Sequence, residues 1–309
     1  MRFIDAKTVA KNLPYKQLIE ALRLAFKEDI NSPERAQHKI NTTNTLLLMP
    51  AWSMGGDIGI KIVSVFPENS QNKLSAVNAS YFLLDGNNGL PKAILDGTEL
   101  TLRRTACASA LAADYLARED ASTLLMVGTG NLAPHLIEAH MQFRDIRSVM
   151  IWGRDYEKAS ALSQKLSLNN VDIIAVKELS EGVAHSDIIS CATLSNLPLI
   201  KGAWLKPGQH LDLVGSFTPE MQEVDSEAVA LANVIVDTYA GALNESGEII
   251  NAIKKGVIEK EDVIADLAEI IKGMKFGRNH SNEITLFKSV GAALEDLAAA
   301  ELVLKNILN

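Results

Sequence analysis

The sequence predicts an α/β protein: a doubly wound parallel sheet joined to a smaller α+β domain built from both ends of the chain. Three observations predict it. From Thr123 onward, short apolar runs alternate with stretches of helical period. Between Ala36 and Leu95, apolar runs follow one another with only Asn, Gly and Ser clusters between them. A glycine-rich turn, Gly128-Thr129-Gly130-Asn131-Leu132-Ala133, joins the first alternating strand to the first alternating helix.

Taken in order, Met1 to Ile4 reads as a short strand. Tyr15 to Asp29 reads as a helix with Leu18, Ala21, Leu22 and Ala25 on one face, stopped by Pro33. Strands are expected at Thr45–Met49, Gly59–Phe66 and Ala79–Asp85, and Asp85-Gly86-Asn87-Asn88-Gly89 has hairpin-turn composition. A helix from about Thr105 to Ala117 leads into the alternating region. Its strands are expected at Thr123–Val127, Val149–Trp152, Asp172–Val176, Asp187–Cys191, Leu211–Val214 and Val234–Val236, with helices at about Leu132–Phe143 and Tyr156–Leu166. Such alternation implies parallel pairing with right-handed crossovers. A last helix, about Ser289 to Leu304, is expected to return to the first domain. The predicted division is residues 1–117 with 287–309, and residues 118–286.

A chain of 309 residues can bury roughly three quarters of its unfolded surface, enough for two cores and a cleft. The formal charge of −8 without Lys/Arg clusters argues against a nucleic-acid surface. No stretch approaches a membrane span and the N-terminus lacks a leader pattern, so a cytoplasmic protein is expected. Cys107 and Cys191 stand alone, and the six histidines do not pair at ligand spacing, so neither a disulfide framework nor a metal is expected.

The turn after Val127 has the form that cradles a dinucleotide. Gly128 allows the tight turn, Gly130 lets backbone approach a pyrophosphate, and Ala133 lets the helix pack on the strand. The residues Gly128, Thr129, Gly130, Asn131, Leu132 and Ala133 are therefore candidate cofactor contacts, with phosphates at the helix N-terminus. The second strand ends at Gly153 and Arg154 rather than at the acidic residue that holds a ribose 2′-hydroxyl. Arg154 suits a 2′-phosphate, so NADPH is the expected cofactor, with NADH the alternative; Asp155 is the residue that argues against it.

Three cations in the first domain stand out. Lys61 lies inside the apolar strand Ile58–Val63, where it shares a face with Gly59 and Val63. Arg35 follows Pro33 in a turn, and Arg104, beside Arg103, sits near the expected start of the helix, where a dipole disfavours cations without an anion nearby. Alone, each reads equally as a solvated or snorkelling side chain. His38 and Lys39 lie near Arg35 and are not assigned a catalytic role.

The segments Pro33–Arg35, Met49–Pro50, Gly59–Lys61, Pro67–Asn69, Leu100–Ala117, the Gly128 turn and Phe287–Asp296 together resemble the ornithine cyclodeaminase and mu-crystallin family over essentially the whole chain. The resemblance implies a substrate and dimerisation domain interrupted by a Rossmann domain. It implies that Arg35, Lys61 and Arg104 hold a substrate carboxylate, and that Thr193, Ser289, Val290 and Gly291 border the nicotinamide. The two carboxylates that serve ornithine in the cyclodeaminases fall on Leu47 and Phe217, which can exchange no proton, and Gly215-Ser216-Phe217-Thr218-Pro219 looks like the family's reductase branch. The implied activity is NAD(P)H-dependent reduction of a cyclic ketimine, Δ1-pyrroline-2-carboxylate or its six-membered homologue, to L-proline or L-pipecolate, by a homodimer. Lys61 or solvent supplies the proton. Ornithine cyclodeaminase, alanine dehydrogenase and a mu-crystallin-like NADP-binding or ligand-binding protein are the alternatives.

Overall fold

The computed structural model describes residues 1–72 and 74–308. They form two compact units, one from the described residues up to 108 together with 292–308, the other from 109–291.

In the first unit the strands are β1 (Arg2–Ile4), β2 (Ile30–Asn31), β3 (Ala36–Lys39), β4 (Thr45–Ser53), β5 (Ile58–Val65), β6 (Val77–Leu84) and β7 (Pro91–Asp96). The sheet order is β1-β7-β6-β5-β4-β2, with β3 also on β4; β1 runs parallel to β7 and the other pairs are antiparallel. The C-terminal helix Ala293–Leu308 packs on β4, β5 and helix Tyr15–Ala25, closing a core of Leu18, Ile19, Leu22, Leu83, Leu297 and Val303. In β5 the pleat buries Gly59, Lys61 and Val63 and leaves Ile58, Ile60 and Ile62 half-buried. The snorkelling alternative for Lys61 therefore falls: β5 is an inner strand, and its lysine is on the covered face. Gly59 is needed because a Cβ there would collide with the Tyr81 hydroxyl.

Several boundaries differ from expectation. Helix Tyr15–Ala25 stops before Pro33, with the Phe26 N–H closing on the Leu22 carbonyl at 2.9 Å. A further short helix, Ala6–Asn12, is capped by Asp5, which accepts the Thr8 N–H at 2.9 Å. The helix expected from Thr105 spans Gly97–Leu116. Its start signal is Asp96, whose carboxylate accepts the Glu99 N–H at 2.8 Å. Arg103 and Arg104 are thus in the second turn, so the helix-start argument for an anion beside them does not hold. The Asp85–Gly89 turn does join β6 to β7, with Gly89 at φ +72° and the Asp85 side chain accepting from the Asn87 N–H.

In the second unit the strands are β8 (Thr123–Val127), β9 (Ser148–Trp152), β10 (Asp172–Ala175), β11 (Ile188–Cys191), β12 (His210–Leu213), β13 (Ala232–Val236), β14 (Val263–Asp266) and β15 (Ile284–Lys288). All pair in parallel in the order β10-β9-β8-β11-β12-β15-β13-β14, the doubly wound sheet expected. Leu125, Val127, Ile189, Leu211, Leu213 and Leu286 are fully buried in its core, as strands covered on both faces require. The strand order reverses between β8 and β11, and ligands of such sheets bind beyond the strand ends at that point. Strand β15 makes Ser289–Gly291 a loop, and the final helix begins only at Ala293.

Candidate functional site

At the reversal point β8 ends in Gly128, whose φ of +128° only glycine adopts at ease. A Cβ there would also come within 2.6 Å of the Ala192 carbonyl, so the loops after β8 and β11 touch at this residue. Gly130 is different: a Cβ would meet nothing within 4 Å. The protein itself does not demand glycine there, whereas a phosphate approaching the backbone would. Ala133 is fully buried, and no side chain caps the helix Leu132–His140 at Asn131. Thr129, Asn131 and Leu132 complete the turn between strand and helix.

A cavity of about 270 Å³ opens beside this turn, lined by Gly128, Thr129, Gly153, Arg154, Thr193 and Leu194 among others. Its volume and open glycine edge fit part of a dinucleotide. At the strand tip a Cβ on Gly153 would lie 2.8 Å from Thr129 Cγ2, so a side chain at that position would displace the Thr129 methyl. Asp155 caps helix Tyr156–Lys165, accepting the Glu157 N–H at 3.1 Å and the Lys158 N–H at 3.4 Å. The cap engages Oδ1 of this side chain. Arg154 and Lys158 are exposed on the same rim.

Two buried carboxylates anchor the loops beyond the strand ends. Asp237 Oδ2 accepts from the Ser289 hydroxyl at 2.9 Å, the Val290 N–H at 2.8 Å and the Gly291 N–H at 2.7 Å. Glu223 Oε1 accepts from the Thr193 N–H at 2.7 Å and hydroxyl at 2.8 Å. Sequence reasoning named the loops and missed both anchors. Asp237 had a readable signal, an acid directly after the apolar run Val234–Val236.

The first unit holds a second polar centre. Lys61 Nζ lies 2.7 Å from Asp296 Oδ2; Arg104 Nε lies 2.9 Å from Asp296 Oδ1, and its Nη1 2.6 Å from Glu295 Oε2. Lys61 is 2% exposed, Arg104 4%, and both acids are fully buried. Arg35 is half-buried and near enough for its charge to act on Lys61. Lys61 and Arg104 face Asp296 and Glu295 directly, and Arg35 adds a further positive charge that reaches Lys61. Burial and the Arg104 charge, with Asp296 opposing and Arg35 adding, pull the Lys61 ammonium down to about 8. Burial opposes the Arg104 charge too, but Asp296 and Glu295 outweigh it and hold the guanidinium above its ordinary value.

The expected trio of cations is thus present in one unit, with two of its members already paired to the C-terminal helix. In the sequence Glu295 and Asp296 are only the end of the Phe287–Asp296 segment, because nothing in a helix sequence tells which strand it covers. Leu47 is buried on β4, one pleat from Met49, whose register partner is Lys61, so the covered face beside the lysine is apolar. His38 and Lys39 are exposed on β3. Phe217 follows β12 in the second unit and is half-buried.

A model of the ornithine cyclodeaminase/mu-crystallin family matches residues 3–309. An uncharacterised protein of Schizosaccharomyces pombe is 44% identical over 98% of this chain and 97% of its own. The Δ1-pyrroline-2-carboxylate reductase of Colwellia psychrerythraea is 35% identical over 99% of each. Among solved structures, Thermococcus litoralis Δ1-pyrroline-2-carboxylate reductase in complex with NADH and L-proline superposes with a TM-score of 0.96 at 34% identity, covering 100% of this chain and 98% of that one.

Proposed function

The chain belongs to the ornithine cyclodeaminase/mu-crystallin family, and within it we propose that it is a ketimine reductase. The reaction is NADPH + H⁺ + Δ1-pyrroline-2-carboxylate giving L-proline and NADP⁺, with the six-membered homologue giving L-pipecolate. The observation that carries this reading is the buried Lys61–Arg104–Asp296–Glu295 centre beside apolar Leu47 and Met49. In this reading the substrate carboxylate joins Arg35, Lys61 and Arg104, and its uncharged ring lies toward Leu47 and Met49. A substrate related to L-proline, as in the Thermococcus complex, has that charge pattern.

A reduced nicotinamide bound on the second unit supplies the hydride. Arg35, Lys61 and Arg104 hold the substrate carboxylate and fix the C=N carbon for attack. Lys61, with its proton held near pH 8, is the candidate donor to the ring nitrogen. Thr193, Ser289, Val290 and Gly291 border the nicotinamide, the Gly128–Ala133 turn takes the pyrophosphate, and Arg154 faces the 2′-phosphate. The exposed Arg154, with Asp155 engaged as a cap, supports NADPH over NADH. The active form is a homodimer, a reading supported by exposed apolar side chains of the first unit: Phe3 is 77% and Met54 94% exposed.

The test is loss of absorbance at 340 nm when purified protein and NADPH meet Δ1-pyrroline-2-carboxylate. Turnover of the ketimine, with none of ornithine and none of pyruvate plus ammonia, is expected. The reverse preference rejects the proposal.

A further inference from the structure

We propose that Glu223 is the positioning residue of the nicotinamide wall: its ionised carboxylate staples the loop after β11 to the loop after β12 and so holds Thr193 for the cofactor. The inference rests on the dinucleotide reading above. Oε1 takes both the N–H and the hydroxyl of Thr193, and Oε2 takes the Gly215 N–H at 2.9 Å. Glu223 is itself fixed, because its N–H donates to Glu248 Oε1 at 2.7 Å and its carbonyl accepts from Leu199 and Ile200 at 2.9 and 3.0 Å. A Cβ on Gly215 would collide with the Thr193 backbone, so the two loops meet without slack.

All three donors point at a carboxylate that is fully buried. The ionised form accepts from all three; a proton on Oε2 would compete with the Gly215 N–H, and one on Oε1 would turn the Thr193 hydroxyl from donor to acceptor. The charged group facing it from β15 is Lys288, and from helix Gly247–Lys254 it is Glu248; Cys191 on β11 is held as a thiol, burial pushing it well above its usual value. Lys288 Nζ donates to the Ser216 carbonyl at 2.7 Å and lies 3.4 Å from Glu248 Oε2, so one ammonium serves two buried carboxylates. Burial, opposed by Lys288 and reinforced by Glu248, pushes the Glu223 carboxyl up to about 7. The staple is whole above that pH and lost as pH falls through it.

The experiment is fluorescence titration of NADPH into the intact protein and Glu223→Gln at pH 6 and pH 8. The unaltered protein's advantage over Glu223→Gln should be on the order of tenfold larger at pH 8 than at pH 6, with Glu223→Gln weak at both, a loss typical of charge-assisted hydrogen bonds. The 2′-phosphate titrates alike in both proteins and cancels in their ratio. Equal constants for the two proteins at both pH values overturn the staple and leave the dinucleotide reading intact. No binding to the unaltered protein overturns both. If Glu223→Gln does not fold, Thr193→Val removes one donor of three; severalfold weaker binding at pH 8 is expected, and an unchanged constant overturns the inference.

Discussion

Lys61 shows how one residue's surroundings decide its chemistry. In sequence it is a lysine among isoleucines. In the sheet it lies on the covered face, salt-bridged to Asp296 at 2.7 Å, with its ammonium pulled down to about 8 by burial and Arg104. Its charged form is complete below that pH and lost above it, so kcat/KM for the ketimine should fall as pH rises through about 8; a flat profile to pH 10 would remove Lys61 from the chemistry. Lys61→Met should lower kcat/KM on the order of 100-fold, the range of a lost proton donor, while the NADPH dissociation constant stays within about twofold. Arg154→Ala should raise the KM for NADPH roughly tenfold and leave that for NADH alone, since only the former offers a 2′-phosphate. Equal losses for the two cofactors would mean that Arg154 does not read the phosphate. Of these residues the sequence revealed the cations but not their partners: Glu295 and Asp296 lie more than 190 positions from Arg104, and only packing of the last helix onto β4 and β5 brings them there.

At the scale of elements, the two turn glycines make opposite demands. Gly128 is required by the protein, through its φ and the Ala192 carbonyl; Gly130 is required only by a ligand, because its Cβ direction is open. Gly130→Val should therefore fold with a melting temperature close to that of the unaltered protein and lose NADPH binding. Gly128→Val should lose both. Asp96→Ala should cost about 1 kcal/mol in denaturant unfolding as the helix Gly97–Leu116 loses its cap. The elements that were legible had one strong period each: β8 appears at its expected bounds, and β9 to β13 within one or two residues. Those missed, β2, β3, β7, β14 and β15, are two to six residues long, so their pairing partners define them. The start of Gly97–Leu116 was hidden because Asp96 ends one strand and caps the next helix.

For the whole molecule, the fold class followed from the change of period along the chain, and the strand order with its reversal between β8 and β11 places the glycine turn where doubly wound sheets bind ligands. Of the loop anchors, Asp237 was legible as an acid directly after Val234–Val236 and Glu223 was not; what either one holds was hidden, since both act through backbone N–H groups distant in sequence. Among the described residues no helix is long and apolar enough to cross a membrane. Light scattering should give twice the 33.5 kDa of the chain, and a monomer active at assay concentration would contradict the dimer. The central claim is that the dinucleotide is consumed as a reductant and not recycled within a turnover. Its most direct measurement is the product balance with NADPH and Δ1-pyrroline-2-carboxylate, read by chiral chromatography beside absorbance at 340 nm. One L-proline for each NADPH oxidised is the predicted result. Proline and ammonia released from ornithine with no net change in NADPH would contradict it.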